Sequence, residues 1–190
     1  MNKQPEKNSA EWIFENEFFP HFEALYNFAY SLAGNEEDAR DLVQETYLKA
    51  HRFIHLYESG TNAKAWLFRI LKNAFINEYR RKKAQPVKTD YEEFVTYQDS
   101  EDTPYSAASL DMRSDVFKGL IGDEVTNALN SLPVDFKTVI ILCDIEGFTY
   151  EEIAKITDIP IGTVRSRLHR ARNMLKEILT GYAKKLGYAK

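Results

Sequence analysis

The stretch Phe148-Thr149-Tyr150-Glu151-Glu152-Ile153-Ala154-Lys155-Ile156-Thr157-Asp158-Ile159-Pro160-Ile161-Gly162-Thr163-Val164-Arg165-Ser166-Arg167 reads as two helices joined by a tight turn. Thr149 followed three residues later by Glu152 is a capping-box pattern and gives the first helix a defined start. Ala154 is small where two helices must cross closely. Asp158 falls in the turn, and Pro160 prepares the first turn of the second helix. Val164, Leu168, Ala171, Leu175 and Leu179 then follow a buried stripe. The opposite face carries Thr163, Arg165, Ser166, Arg167, His169, Arg170 and Arg172, with no acid on this helix before Glu177. A basic second helix behind a capped first one is suited to the major groove of DNA, where arginine reads guanine. Arg165, His169 and Arg172 are spaced i, i+4, i+7, so the spacing predicts that they project into one groove. A basic but merely solvated surface helix is the alternative.

Outward from this motif the apolar residues recur at helical spacing nearly everywhere except the middle of the chain. The pattern predicts helices over about 10–33, with a break at Pro20, and over 36–57, opening on Glu36, Glu37 and Asp38. A third runs over 63–83 with Trp66, Leu67, Ile70, Leu71 and Phe75 on its apolar side. Further helices follow over 123–131, 134–146 (stopped by Gly147), 150–157 and 161–183. From Gln85 the periodicity fails, and Pro86, Pro104, acids and serines accumulate. The expected fold class is all-α: two small helical domains, 10–84 and 122–186, joined by an acidic flexible linker over 85–121.

The charge distribution narrows the function. Residues 1–85 are neutral overall, 86–123 carry net −6 and 124–190 net +2, within a total of −4. An autonomous duplex binder usually has a domain pI above about 9. At pI ≈ 5.7 this chain is expected to draw part of its attraction for DNA from another molecule. The amino terminus has no apolar signal core and no run is long enough to span a membrane, which predicts a cytoplasmic protein without membrane insertion. One cysteine, Cys143, excludes an internal disulfide and a cysteine-rich zinc site. His51 and His55 are one turn apart, but Arg52 stands where a His-Glu-x-x-His motif needs glutamate, so no metal is expected. No phosphate-binding glycine loop and no nucleophile–base constellation appears, and neither an enzyme nor a cofactor is expected.

Two further stretches, and the second helix of the motif above, carry a resemblance. Asp41-Leu42-Val43-Gln44-Glu45-Thr46-Tyr47-Leu48-Lys49-Ala50 resembles the polymerase-binding helix of extracytoplasmic-function sigma factors. Ala65-Trp66-Leu67-Phe68-Arg69-Ile70-Leu71-Lys72-Asn73, with Asn77 and Arg80-Arg81, resembles their −10 promoter helix. Pro160–Leu168 resembles their −35-reading helix. The three matches occur in the family's order.

The resemblance implies a promoter-reading subunit that binds core RNA polymerase, at its β′ clamp and β flap, and promoter DNA. Asp41, Leu42, Gln44 and Glu45 would meet the polymerase. A loop matching 57–63, with Gly60, Thr61 and Asn62, would capture a flipped −10 base. Trp66, Asn73, Asn77, Arg80 and Arg81 would complete the −10 site. Asn77 departs from the family's usual aspartate, which puts the preferred −10 base in question. An anti-sigma partner is also implied, and Gly60–Asn77, His169-Arg170 and Tyr182-Ala183 look most like members controlled by zinc-binding anti-sigma factors in thiol stress. The residues alone leave open an autonomous helix-turn-helix regulator with an N-terminal sensing or dimerising domain.

Overall fold

The computed structural model describes residues 9–84 and 123–185. Eight α-helices are described: α1 (Ala10–Ile13), α2 (Phe22–Ala33), α3 (Glu36–Arg52), α4 (Ala63–Ala84), α5 (Asp123–Asn130), α6 (Val134–Ile140), α7 (Tyr150–Thr157) and α8 (Ile161–Lys185). There is no strand among the described residues, as the periodicity requires. The expected linker over 85–121 lies outside them.

Local chemistry sets the helix ends. Gly34, at φ 79°, stops α2 in the left-handed region that L side chains avoid. Asn35 then caps α3 by accepting the Asp38 N–H at 2.8 Å. Acids at Glu36, Glu37 and Asp38 and bases at Lys49 and Arg52 suit the two ends of the α3 dipole. Helices α2, α3 and α4 pack around Leu25, Phe28, Leu42, Leu67, Phe68 and Leu71, all essentially inaccessible. The second core gathers Val139, Ile141, Leu142, Ile153, Ile156, Val164 and Leu168 from α6, α7, α8 and the turn after α6. Each such side chain contributes about 1.5–3 kcal/mol on leaving water, which is how helices this short persist.

Three predicted helices are interrupted. The first becomes α1, a wide π turn over Phe14–Phe18, a 3-10 turn over Phe19–His21 and then α2. Pro20 lies in the 3-10 turn, so the break falls around proline as expected. The second ends at Arg52 and is followed by a 3-10 turn over Ile54–Leu56 instead of running to Tyr57. The helix predicted over 134–146 widens over Ile141–Ile145, where the Glu146 N–H reaches the Ile141 carbonyl at 2.9 Å.

Candidate nucleic-acid and polymerase interface

The helix-turn-helix is built as its residues dictate. The Glu152 N–H donates to Thr149 Oγ1 at 3.3 Å, and the Thr149 N–H donates back to Glu152 Oε2 at 2.9 Å. Asp158 closes α7 in the left-handed conformation, φ 58°, its N–H reaching the Ala154 carbonyl. The Pro160 carbonyl then accepts from Thr163 and Val164 to start α8. Val164, Leu168 and Ala171 are buried, so Arg165, Ser166, His169 and Arg170 are exposed on the outer face, with Thr163 half-buried.

Two arginines of that helix are already engaged. Arg172 clamps Asp144 through Nη2 at 2.6 Å and Nε at 3.1 Å, and Arg167 reaches Asp135 at 2.9 Å. The Arg172 hydrogen bond holds the Asp144 carboxyl below the usual aspartate range, outweighing the upward push of burial. The i, i+4, i+7 spacing therefore does not deliver three equivalent cations. Arg165 and His169 stand outward, while Arg172 is turned back onto its own domain by a carboxylate 28 residues upstream. Cys143 is half-buried against the core beside this pair.

On the first domain, Asn62 caps α4 by accepting the Ala65 N–H at 2.9 Å. Gly60 holds φ 83° in the preceding loop, with open space where a Cβ would stand, so backbone conformation and not crowding selects glycine there. Thr61 is exposed and donates to the Glu58 carbonyl. Trp66 is half-buried, stacked on Phe18 with ring centroids 5.4 Å apart and tilted against Tyr57 at 5.1 Å. Asn73 and Asn77 are exposed one turn apart on α4. Arg69, exposed one turn earlier, extends that row, and the i, i+4, i+8 spacing in the sequence was the signal for it. The side chains of Arg80 and Arg81 lie outside the described residues.

The α3 face differs from its expectation at one residue. Asp41 and Gln44 are exposed and Glu45 is half-buried, paired with Lys49 at 2.7 Å. Leu42 is only 1 % exposed. Its side chain points into the core and supports the face from beneath, a correction to its reading as a contact residue. Beside the acids lies an apolar groove of about 540 Å³ lined by Phe22, Tyr26, Arg40, Val43, Gln44 and Tyr47. Phe22 in its lining is 51 % exposed, Phe19, whose ring packs against Tyr47, is 53 % exposed, and Leu48 on α3 is 63 % exposed. The Tyr47 hydroxyl donates to the Phe18 carbonyl at 3.1 Å, and burial pushes its pKa up to about 12. His51 and His55 are exposed, and no cluster able to hold a metal ion occurs among the described residues.

The two domains touch along α4 and α7. Lys64 Nζ pairs with Glu146 Oε2 at 2.8 Å and sits 5.1 Å from the Phe148 ring centroid. The Asn62 side-chain amide donates to Glu152 Oε1 at 2.6 Å, and Lys72 donates to the Thr157 carbonyl at 2.7 Å. Phe68 meets Phe148 edge-on, centroids 5.2 Å apart.

Residues 20–85 match the model of Sigma-70 region 2, and residues 122–175 match that of Sigma-70, region 4. The chain belongs to the sigma-70 family. Its relatives place it in the extracytoplasmic-function group of RNA polymerase sigma factors. It is 36 % identical over 156 residues to the ECF RNA polymerase sigma factor EcfG of Rhodopseudomonas palustris, covering 82 % of this chain and 79 % of that one. It is 35 % identical over 166 residues to ECF RNA polymerase sigma factor SigE of Mycolicibacterium smegmatis, covering 86 % of this chain and 60 % of that one. The match thus spans less than two thirds of the mycobacterial protein. Among solved structures, the sigma factor RpoE in complex with the anti-sigma factor NepR from Bartonella quintana superimposes with a TM-score of 0.65. That pair is 37 % identical, with 88 % of this chain and 96 % of the other covered.

This sigma factor accordingly serves transcription initiation. Helices α2 to α4 lie within its region 2, and α7 with the part of α8 up to residue 175 lies within its region 4. No helix among the described residues is long and apolar enough to cross a membrane.

Proposed function

We propose that this sigma factor binds core RNA polymerase through the α2–α3 face, reads −35 duplex with α8 and reads the −10 strand with the 57–63 loop and α4. The observation that carries the reading is the pairing of two polar reading surfaces on separate domains, in the family's order. The outer face of α8 presents Arg165, Ser166, His169 and Arg170, and the outer face of α4 presents Arg69, Asn73 and Asn77. Asp41, Gln44 and Glu45, with the apolar groove beside them, form the polymerase face: carboxylates give register and Phe22 and Leu48 give area. Arg172, held by Asp144, would fix α8 against its own domain, and by the family resemblance Arg80 and Arg81 would meet phosphates.

The acidic balance supports dependence on polymerase. With a net charge of −4 the chain releases few counterions from duplex DNA by itself. The linker of roughly 35 residues, up to about 100 Å when extended, would lie along a basic channel of the polymerase and let the two reading domains separate. The protein works in the cytoplasm, as a binding subunit and not as a catalyst. An anti-sigma factor would compete for the α2–α3 face and for α8. The finer assignment, to members restrained by zinc-binding anti-sigma factors in thiol stress, rests on Gly60–Asn77, His169-Arg170 and Tyr182-Ala183 alone.

The deciding experiment is transcription in vitro with core polymerase and a promoter library, alongside duplex binding by the isolated chain. Specific transcripts are expected only when chain and core are combined, with negligible specific duplex binding by the chain at physiological salt. A nanomolar duplex complex formed without polymerase would favour an autonomous regulator instead.

A further inference from the structure

Glu17 lies outside every promoter motif in the sequence, yet its carboxylate is the meeting point of the loop that precedes α4. Oε2 accepts the Tyr57 hydroxyl and the Gly60 N–H, the latter at 3.0 Å, and Oε1 accepts the Ser59 hydroxyl. Three donors from one short loop therefore converge on a residue some 40 positions upstream. The wide π turn over Phe14–Phe18 carries Glu17 and Phe18 together, and π turns of this kind recur at functional sites. Phe18 packs edge-on against Tyr57 at 5.0 Å and stacks on Trp66, so the residue next to Glu17 anchors both flanks of the loop. Burial pushes the Glu17 carboxyl up, but the Ser59, Tyr57 and Gly60 hydrogen bonds outweigh it and hold the pKa below the usual value. Its anionic form is thus favoured, on a surface that by the proposed reading accepts a phosphodiester chain. Such a charge is tolerable only where its lone pairs are turned inward onto donors, as these are.

We propose that Glu17 is a positioning residue for −10 strand capture: its carboxylate fixes the 57–61 loop in the shape that receives the extruded base. The inference rests on the reading of that loop as the capture site. Without the carboxylate, Gly60 and Ser59 lose their fixed orientation, and the loop must be ordered at the moment the base arrives, which weakens capture.

The test uses holoenzyme reconstituted from core polymerase and full-length chain. Single-stranded −10 oligonucleotides carrying 2-aminopurine at successive positions serve as the probe. Glu17→Ala is expected to weaken strand binding roughly tenfold, the scale of lost hydrogen bonds to a charged acceptor. Glu17→Gln and Ser59→Ala should fall between it and the parent. The 2-aminopurine change should be lost at the single captured position, while core affinity and −35 duplex dependence stay unchanged. A purely structural role would instead lower thermal stability and reduce all signals together. If Glu17→Ala fails to fold, Glu17→Gln and Ser59→Ala carry the comparison. Unchanged affinity and an unchanged fluorescence pattern in the Glu17 and Ser59 variants would overturn the proposal. Thr61→Ala and Asn62→Ala separate it from the reading beneath it. If they leave capture intact, the loop is not the strand site. If they weaken capture and the Glu17 and Ser59 variants do not, only the role of Glu17 falls.

Discussion

Lys64 Nζ lies 2.8 Å from Glu146 Oε2 and donates to the Glu146 carbonyl oxygen at 2.9 Å, so one ammonium ties region 2 to region 4 twice. The Glu146 side chain is only 9 % exposed, so removing Lys64 leaves a nearly buried carboxylate without its ion-pair partner. Lys64→Ala should loosen the α4–α7 contact by about 1–2 kcal/mol. Small-angle scattering of the free chain should show a larger radius of gyration for the variant, most clearly at low salt. An unchanged radius would mean that Phe68–Phe148 packing holds the domains without the charge.

Arg165 and Arg172 should behave differently despite sharing a helix. Arg165→Ala is expected to weaken −35-dependent transcription by about 1–3 kcal/mol and to relax base preference at one position. Arg172→Ala breaks a two-point contact with Asp144 and should lower region 4 stability by about 1–2 kcal/mol. Its promoter preference should remain intact. Promoter-library transcription and thermal unfolding of both variants distinguish these outcomes.

Lys137 is 3 % exposed, and burial pulls its pKa down to about 8 from the ordinary 10.5. Between pH 8 and 10.5 the unfolded chain holds this proton and the folded chain does not, so this site makes stability rise with pH across that window. Below pH 8 both states are protonated, and the burial penalty is constant. Lys137→Met removes the penalty. The variant should be more stable at pH 7, by up to a few kcal/mol, and its advantage should shrink towards pH 10.5. Denaturant unfolding at both pH values measures the difference, and an advantage independent of pH would sink this account.

Asp158 takes a left-handed backbone conformation, φ 58°, at the turn between α7 and α8. Glycine relieves the Cβ conflict there, and its greater freedom in the unfolded chain offsets part of the gain. Asp158→Gly is expected to raise region 4 stability by up to about 1 kcal/mol. A calorimetric melting temperature reads this directly, and a lower value would show that the Asp158 side chain stabilises the turn.

The sequence made some features legible because their causes are local. Thr149 and Glu152 are three residues apart, and their reciprocal hydrogen bonds follow from that spacing. The buried row Val164, Leu168 and Ala171 follows from helical period alone. Where reading failed, the cause lay across the chain. The basic face of α8 looked uniform because Asp144, which captures Arg172, is 28 positions away. Glu17 carries no motif, since its three donors belong to a loop beyond two intervening helices. Leu42 stands between Asp41 and Val43, and a rotation of one residue about the helix separates a solvent position from a core one. Exposed Phe22 and Leu48 fit a helical pattern that normally signals burial, so the apolar groove beside the acids was not foreseen.

The hydrogen bond from Asn62 to Glu152 has a consequence for traffic inside a crowded cell. It sets an acidic side chain against the cap of the helix proposed to accept the −10 strand. On the proposed reading, a single strand approaching the folded free chain meets a carboxylate at that spot. If the proposed −10 reading holds, that contact would disfavour stray single strands before the subunit meets a promoter.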